Sequence, residues 1–162
     1  MMRGSAMPDT NLIEGREQVR ALVTRSAQLL DRGLYDDFVA LFSRNGKYVL
    51  AAKSDELGKD MTWLEADRSE LGELLKEYPQ YVRDKAHRTH LVAADEIEIS
   101  EDAARVLSTF AVFRTDLSGN STLYAVGHYE DDVIVEDGSW KLKLRKARLL
   151  TRQFSTPTPM PL

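Results

Sequence analysis

Cysteine is absent from the 162-residue sequence. Without it the chain has no disulfide bond, no thiolate zinc site and no cysteine nucleophile, and it cannot by itself ligate an iron–sulfur cluster. Long apolar runs are also missing: no stretch approaches the roughly 18 residues of a membrane span, and the start lacks the apolar core of a secretory signal. We therefore expect a cytoplasmic protein with no membrane partner.

Positive charge is in the minority, with 22 Lys and Arg against 26 Asp and Glu, which gives a net charge of −4. Binding to nucleic acid depends on a basic surface that neutralises several phosphates and releases their counterions. The charge balance therefore argues against a nucleic-acid partner. Small molecules or other proteins are the expected partners.

The length and the composition, 43% hydrophobic and 30% charged, suit one globular domain. We expect residues 1–8 to be a leader or a disordered terminus, residues 9–154 to form the domain, and residues 155–162 to be a proline-rich C-terminal tail. Prolines at 157, 159 and 161 remove backbone donors and favour extended backbone, so the tail is not helical. It is either a frayed end or an arm that lies against a neighbouring subunit.

The first half of the sequence has helical periodicity. Apolar residues recur at helical spacing between a candidate N-cap at Asn11 and Gly33, which would end the helix. Asp36 can cap a short second helix before Asn45–Gly46 turns the chain, and Asp67 with Glu70 opens a third helix that Pro79 would end. These patterns predict a helical hairpin and one further helix.

The second half is typical of strands. The segments rich in β-branched and aromatic residues, with one earlier candidate strand, are 47–52, 88–99, 103–115, 121–135 and 139–151. Asp137–Gly138 is a hairpin signal between the last two strands. Helices followed by a run of strands predict an α+β fold, with the N-terminal helices packed on one face of a curved, mainly antiparallel sheet.

The last strand carries most of the clustered positive charge of the chain. Its basic residues are Lys141, Lys143, Arg145, Lys146 and Arg148, followed by Arg152. Trp140, Leu142 and Leu144 alternate with the first of them, which is the pattern of an amphipathic strand. We expect the basic side to face solvent or a partner protein rather than nucleic acid.

The segment AHRTHLV, residues 86–92, holds two of the three histidines of the chain. On a helix His87 and His90 would lie together and could serve as two ligands of a facial iron triad. The residues that follow read as a strand, however, and in a strand these positions point to opposite faces. We therefore expect no metal site here, and we expect Arg88 and His90 to share one face.

Three stretches, in order, carry a family resemblance: LLDRGLYDDFVALFSRNGKYV at 29–49, HRTHLVAADEIEI at 87–99 and VGHYEDDVIVEDGSWKLKLRKARLL at 126–150. Together they resemble the small (β) subunits of bacterial aromatic-ring-hydroxylating dioxygenases. The resemblance implies the cystatin-like, or nuclear transport factor 2-like, cone for the fold.

The resemblance also implies a structural role in a multicomponent Rieske non-haem iron enzyme of aromatic compound catabolism. The large (α) subunit would then carry the Rieske [2Fe–2S] cluster and the mononuclear iron, and this chain would hold no cofactor, metal or catalytic residue. The implied assembly is a homotrimer of small subunits within a hetero-hexamer. The absence of cysteine agrees with this, because a Rieske centre takes two cysteines.

Other members of the cone fold suggest an alternative. Dehydratases, dehydrohalogenases and polyketide cyclases of that fold pair an aspartate and a histidine at positions that match Asp31 and His90, with Tyr35, Tyr48 and Trp63 expected to line the cavity. Such a pair can act as a general base without a metal, so the alternative is a stand-alone lyase. A second alternative is a small-molecule binding protein, and a third reading makes the pair structural.

Overall fold

The structure, a computed structural model, describes residues 10–156 and 161–162. The described part holds three helices and six strands: α1 Thr10–Asp31, α2 Tyr35–Ala40, β1 Phe42–Ser54, β2 Lys59–Asp67, α3 Arg68–Tyr81, β3 His87–Ile99, β4 Ala103–Thr115, β5 Ser121–Glu136 and β6 Ser139–Leu149. The expectations for residues 1–8 and for 157–160 of the tail lie outside these residues. None of the described helices has the length and apolar character that crossing a membrane requires.

The six strands form one sheet in the order β2-β1-β6-β5-β4-β3. Every neighbouring pair is antiparallel except β1 and β6, which run parallel. At the β5–β6 turn Asp137 and Gly138 have φ angles of 51° and 76°, the left-handed backbone that a two-residue hairpin turn requires. The predicted fold class and this hairpin are therefore confirmed.

Helix α1 covers the inner face of the sheet. Its apolar stripe includes Val19 and Val23, which are 0% and 1% exposed. Two arginines on the helix fasten it to β3: Arg16 donates to the Ile97 carbonyl at 2.6 Å, and Arg20 donates to the Ala94 carbonyl at 3.0 Å. The register of β3 shifts between Ala94 and Glu96, close to both contacts. These contacts fix the position of the first half of α1 along β3.

Several predicted boundaries are wrong. Helix α2 begins at Tyr35 with Leu34 as its N-cap, so Asp36 lies inside the helix instead of capping it. Strand β1 begins at Phe42, so Asn45–Gly46 lies inside the strand at a register irregularity instead of turning the chain. Gly46 is needed there because a Cβ atom would lie 2.9 Å from the Leu142 carbonyl oxygen. Helix α3 opens on the predicted capping box at Asp67 but runs on past Pro79 to Tyr81.

The basic side of β6 differs from the prediction at Arg145, which is fully buried. Lys143 is an extra residue in β6, because the β5–β6 pairing passes from Asp132–Leu144 to Val133–Leu142. This bulge changes which face the following residues point to. Arg145 therefore points into the core, where it pairs with Asp131 at 2.8 Å, and simple alternation had placed it on the polar side.

Candidate functional site

A cavity of about 390 Å³ opens between the end of α1, the end of α3 and the start of β3. Its lining includes Asp31, Tyr35, Tyr78, Arg88 and His90, and Pro161 and Leu162 close it from another side.

Asp31 and His90 form a close pair in this cavity. The Asp31 carboxylate accepts the backbone N–H of His90 at 2.8 Å, and its second oxygen lies 2.6 Å from His90 Nδ1. Because a carboxylate oxygen can only accept, Nδ1 carries the proton in this arrangement. The pair is well shielded, since the side chains are 18% and 3% exposed. Asp31 is the last residue of α1, so the end of the helix fixes the position of its carboxylate.

The other ring nitrogen of His90 is left as an acceptor. Nε2 is buried and has no hydrogen-bond partner among the described residues. The ring lies 6.3 Å from the Phe110 ring, which stacks on Tyr129 at 4.3 Å. Gly127 makes room for this stack, because a Cβ atom there would lie 2.9 Å from the Phe110 ring. A row of packed rings therefore supports His90 from below.

Aromatic rings and one guanidinium line the outer part of the cavity. Arg88 lies two residues before His90 on the same face of β3, with its guanidinium 4.6 Å from the centre of the Tyr124 ring. Tyr35 meets Tyr78 edge to face at 5.8 Å. Burial raises the pKa of both tyrosines above its ordinary value, and Arg88 acts in the opposite direction. These hydroxyls therefore stay protonated at neutral pH.

The three aromatic residues that we expected to line the cavity around the pair lie in three different places. Tyr35 lines the cavity. Tyr48 lies beneath it on β1, fully buried, with its hydroxyl on the backbone of Leu162. Trp63 lies outside the lining of this cavity, 42% exposed, and its ring packs 5.9 Å from Phe154. The β1–β2 register shifts next to Trp63, between the Leu50–Leu64 and Ala51–Thr62 pairs, so alternation is lost there.

The three histidines lie apart. His87 is exposed and His90 is turned inward, in agreement with the expectation that they point to opposite faces of the strand. His128 lies on the outer face of β5, 3.4 Å from the Thr109 hydroxyl. Within residues 10–156 and 161–162, no group of three or more histidine or carboxylate side chains is arranged to hold a metal ion.

Sequence reasoning missed an ion pair at the rim of the cavity. Arg114 donates two hydrogen bonds to Asp84, at 2.8 and 2.7 Å, and the Thr156 hydroxyl donates to the same carboxylate at 3.3 Å. The hydrogen bonds from Arg114 hold the pKa of Asp84 well below its ordinary value. The partners come from three distant parts of the chain, so no local pattern in the sequence could have indicated them.

The geometry of the pair allows two roles. With Asp31 fixing the tautomer, Nε2 can take a proton from a bound molecule, which is what a general base needs. The same contacts also tie the end of α1 to β3 through one backbone and one side-chain hydrogen bond, which is a structural role. The same fold supports both roles in different proteins.

Comparison with known proteins gives one family match. A model of the SnoaL-like domain matches residues 11–146. The chain is 28% identical over 159 residues to the methanesulfonate monooxygenase hydroxylase subunit beta of Methylosulfonomonas methylovora, covering 92% of this chain and 88% of the relative. It is also 28% identical over 138 residues to the 2-aminobenzenesulfonate 2,3-dioxygenase subunit beta of an Alcaligenes species, covering 83% and 92%.

A solved structure agrees with the fold. The crystal structure of a protein assigned as the beta subunit of an aromatic-ring-hydroxylating dioxygenase from Novosphingobium aromaticivorans superimposes with a TM-score of 0.76. The sequence identity is 18%, and the match covers 86% of this chain and 91% of that chain. A protein of the same bacterium with a cystatin-like fold superimposes with a TM-score of 0.68 at 21% identity, covering 90% of this chain and 92% of that chain, so the solved structures show the cystatin-like fold.

Proposed function

The chain belongs to the SnoaL-like domain family, and from this premise we propose that it is the small (β) subunit of a multicomponent Rieske non-haem iron oxygenase. One observation carries the proposal: two curated relatives, matched over 88% and 92% of their own lengths, are both β subunits of oxygenases. The expected role is structural. The large (α) subunit would supply the Rieske cluster and the mononuclear iron, since this chain has no cysteine for the cluster.

The finer proposal concerns the substrate of the complex. Both curated relatives are named for sulfonates, one an alkyl sulfonate and the other an aminobenzenesulfonate. We propose that the complex oxidises a sulfonated organic compound, with an aromatic sulfonate in keeping with the resemblance to ring-hydroxylating enzymes. The large subunit would recognise this substrate, so the small subunit need not contact it.

The outer face of the sheet supports a role in assembly. In the described part no helix covers this face, and it exposes three leucines on neighbouring strands, Leu91, Leu107 and Leu123, at 60%, 36% and 58%. Exposed leucines on a sheet face without a covering helix offer apolar surface that a neighbouring subunit can bury. We propose that neighbouring subunits of the complex bind this face. The proposed stoichiometry is a trimer of small subunits within a hetero-hexamer, in the cytoplasm.

Purification of the chain from its native host at native expression level tests the proposal. We expect a larger, cysteine-containing iron protein to co-purify in equal amount, and oxygen consumption with a sulfonate to require both chains. An oligomer of this chain alone that turns over a substrate would contradict the proposal.

A further inference from the structure

The inner end of the cavity presents a hydrogen-bond acceptor that no described residue satisfies. His90 lines the cavity with a side chain that is 3% exposed, and its Nε2 atom has no donor within hydrogen-bond distance in the described part of the chain. Asp31 holds the ring proton on Nδ1, so Nε2 can only accept. The large majority of buried side-chain polar atoms have a partner. A molecule that binds at this end must therefore bring an O–H or N–H group.

The same end of the cavity excludes negative charge. The Asp31 carboxylate lies beside His90 and is only 18% exposed, so solvent screens its charge weakly. An anionic group placed next to it would be repelled at short range. The donor that reaches Nε2 is therefore a neutral group, such as a hydroxyl.

Positive charge gathers at the outer end of the cavity. Lys85 and Arg88 both line it, and Lys85 is exposed and forms no ion pair with any residue that the structure describes. The carboxylate of Asp84, which also lines the cavity, is already bound by Arg114 at 2.8 and 2.7 Å. This end is therefore positive although the whole chain carries a net charge of −4. It attracts the anionic group of a ligand.

The space between the two ends suits an aromatic ring. Tyr35 and Tyr78 line it and meet edge to face at 5.8 Å, and a third ring can pack against such a pair. The cavity volume of about 390 Å³ lies within the usual range for small-molecule sites. Arg88 and His90 are two residues apart on one strand face, so their Cα atoms lie about 6.6 Å apart. This spacing is comparable to the span of a benzene ring with a substituent at each end.

We propose that the cavity is a binding site for a small aromatic acid that carries a hydroxyl group. The hydroxyl donates to His90 Nε2, the ring packs against Tyr35 and Tyr78, and the sulfonate or carboxylate binds the Arg88 guanidinium at the outer end. The site is independent of the proposed oxygenase role, because all of its residues belong to this chain.

Isothermal titration calorimetry on the full chain tests the site with four probes. The two ligand probes are 3- and 4-hydroxybenzenesulfonate, used at pH 7, where a phenol keeps its proton. Benzenesulfonate lacks the hydroxyl, and phenol lacks the acid group. At least one hydroxybenzenesulfonate should bind with a Kd below about 1 mM. Benzenesulfonate and phenol should each bind at least about tenfold more weakly, because each leaves one end of the site unpaired.

Two variants separate the two ends. His90→Asn keeps a donor to Asp31 but is too short to place an acceptor where Nε2 lies, so it should remove the preference for the hydroxylated sulfonate over benzenesulfonate. His128→Asn, on the outer face of the sheet, is the matched control and should keep that preference.

Arg88→Gln should weaken the hydroxybenzenesulfonate at least about tenfold and leave phenol nearly unchanged, since it removes the charge that holds the acid group. Its matched control is Arg105→Gln, because the Arg105 side chain is 78% exposed on the outer face. Far-UV circular dichroism checks that each variant is folded. The comparison of the four probes on wild type needs no variant.

Three results would overturn the proposal. The first is that neither hydroxybenzenesulfonate binds wild type with a Kd below about 1 mM. The second is that benzenesulfonate binds wild type as tightly as the hydroxylated probes do. The third is a folded His90→Asn variant that keeps the full preference for the hydroxyl. Each of them leaves the proposed oxygenase role standing, because that role is tested by co-purification with the iron protein.

Discussion

Replacing Asp131 with alanine should lower the free energy of unfolding more than removing any exposed charge does, because it leaves Arg145 buried without a counter-charge. The Arg145 guanidinium donates to both Asp131 oxygens, at 2.9 and 2.8 Å, and to the Ser26 hydroxyl at 2.6 Å. It also lies 4.1 Å from the centre of the Tyr129 ring. Burial is the largest single effect and lowers the pKa of Arg145, but the Asp131 carboxylate together with Tyr129 and Tyr48 raises this pKa above its ordinary value, so the guanidinium stays charged in the core.

The expected magnitude follows from what Asp131→Ala leaves behind. Removing one partner of a buried ion pair costs about 3–5 kcal/mol of unfolding free energy, because the other charge has no solvent to replace it. For a chain of this size each kcal/mol lowers Tm by roughly 2–4 °C, so the expected fall is about 6–20 °C. Replacing both residues with apolar side chains of similar size, Asp131→Leu with Arg145→Met, should recover most of the loss.

Urea unfolding followed by circular dichroism measures the change, with linear extrapolation to water and comparison of the slopes. The matched control is Arg105→Ala, which breaks an exposed pair with Asp132, the neighbour of Asp131, at 3.4 Å. Exposed pairs contribute about 0–1 kcal/mol. The reasoning is refuted if Asp131→Ala lowers the free energy of unfolding no more than Arg105→Ala does. It is also refuted if the double apolar variant is less stable than Asp131→Leu alone or Arg145→Met alone.

Two further predictions concern the packing below the cavity and its rim. Gly127→Ala should cost about 1–3 kcal/mol of unfolding free energy, because the new Cβ meets the Arg148 carbonyl oxygen at 2.5 Å and the Phe110 ring at 2.9 Å. Gly72→Ala in α3, whose Cβ would have its nearest neighbour, Val39, at 3.8 Å, should be neutral or stabilising, and thermal unfolding of both variants distinguishes them. Asp84→Asn should lower the free energy of unfolding most above about pH 5. The hydrogen bonds from Arg114 lower the pKa of Asp84 in the folded state, so the wild type gains stability above the pKa of the unfolded state and loses it as the pH falls. The unfolding curves of wild type and Asp84→Asn should therefore differ less at pH 2.5 than at pH 7, and an equal difference at both pH values would contradict this.

Much of the fold could be predicted because local signals and periodicity agree with it. The capping box at Asp67 and the Asp137–Gly138 turn are local signals, and the structure contains both. The pairing of Asp31 with His90 came from the resemblance to members of the cone fold, and the two side chains do meet, at 2.6 Å. The comparisons with curated β subunits agree with the resemblance itself.

Several of the failures share a physical cause, which is that a register change has no signature in the residues around it. One extra residue at Lys143 turned Arg145 from the expected polar face into the core. The site of Leu162 could not be predicted for a related reason. Its partner, Tyr48, is 114 residues away, and a proline-rich tail gives no signal of where it will pack.

The central claim is that this chain builds the complex and leaves the chemistry to its partner. The most direct test is oxygen consumption by the complex reassembled with a His90→Asn small subunit, since asparagine can keep the donor to Asp31 but removes Nε2. The account predicts assembly and turnover within about twofold of wild type, and no turnover by this chain alone. Intact assembly with turnover lost, or turnover by the isolated chain that requires His90, would contradict it.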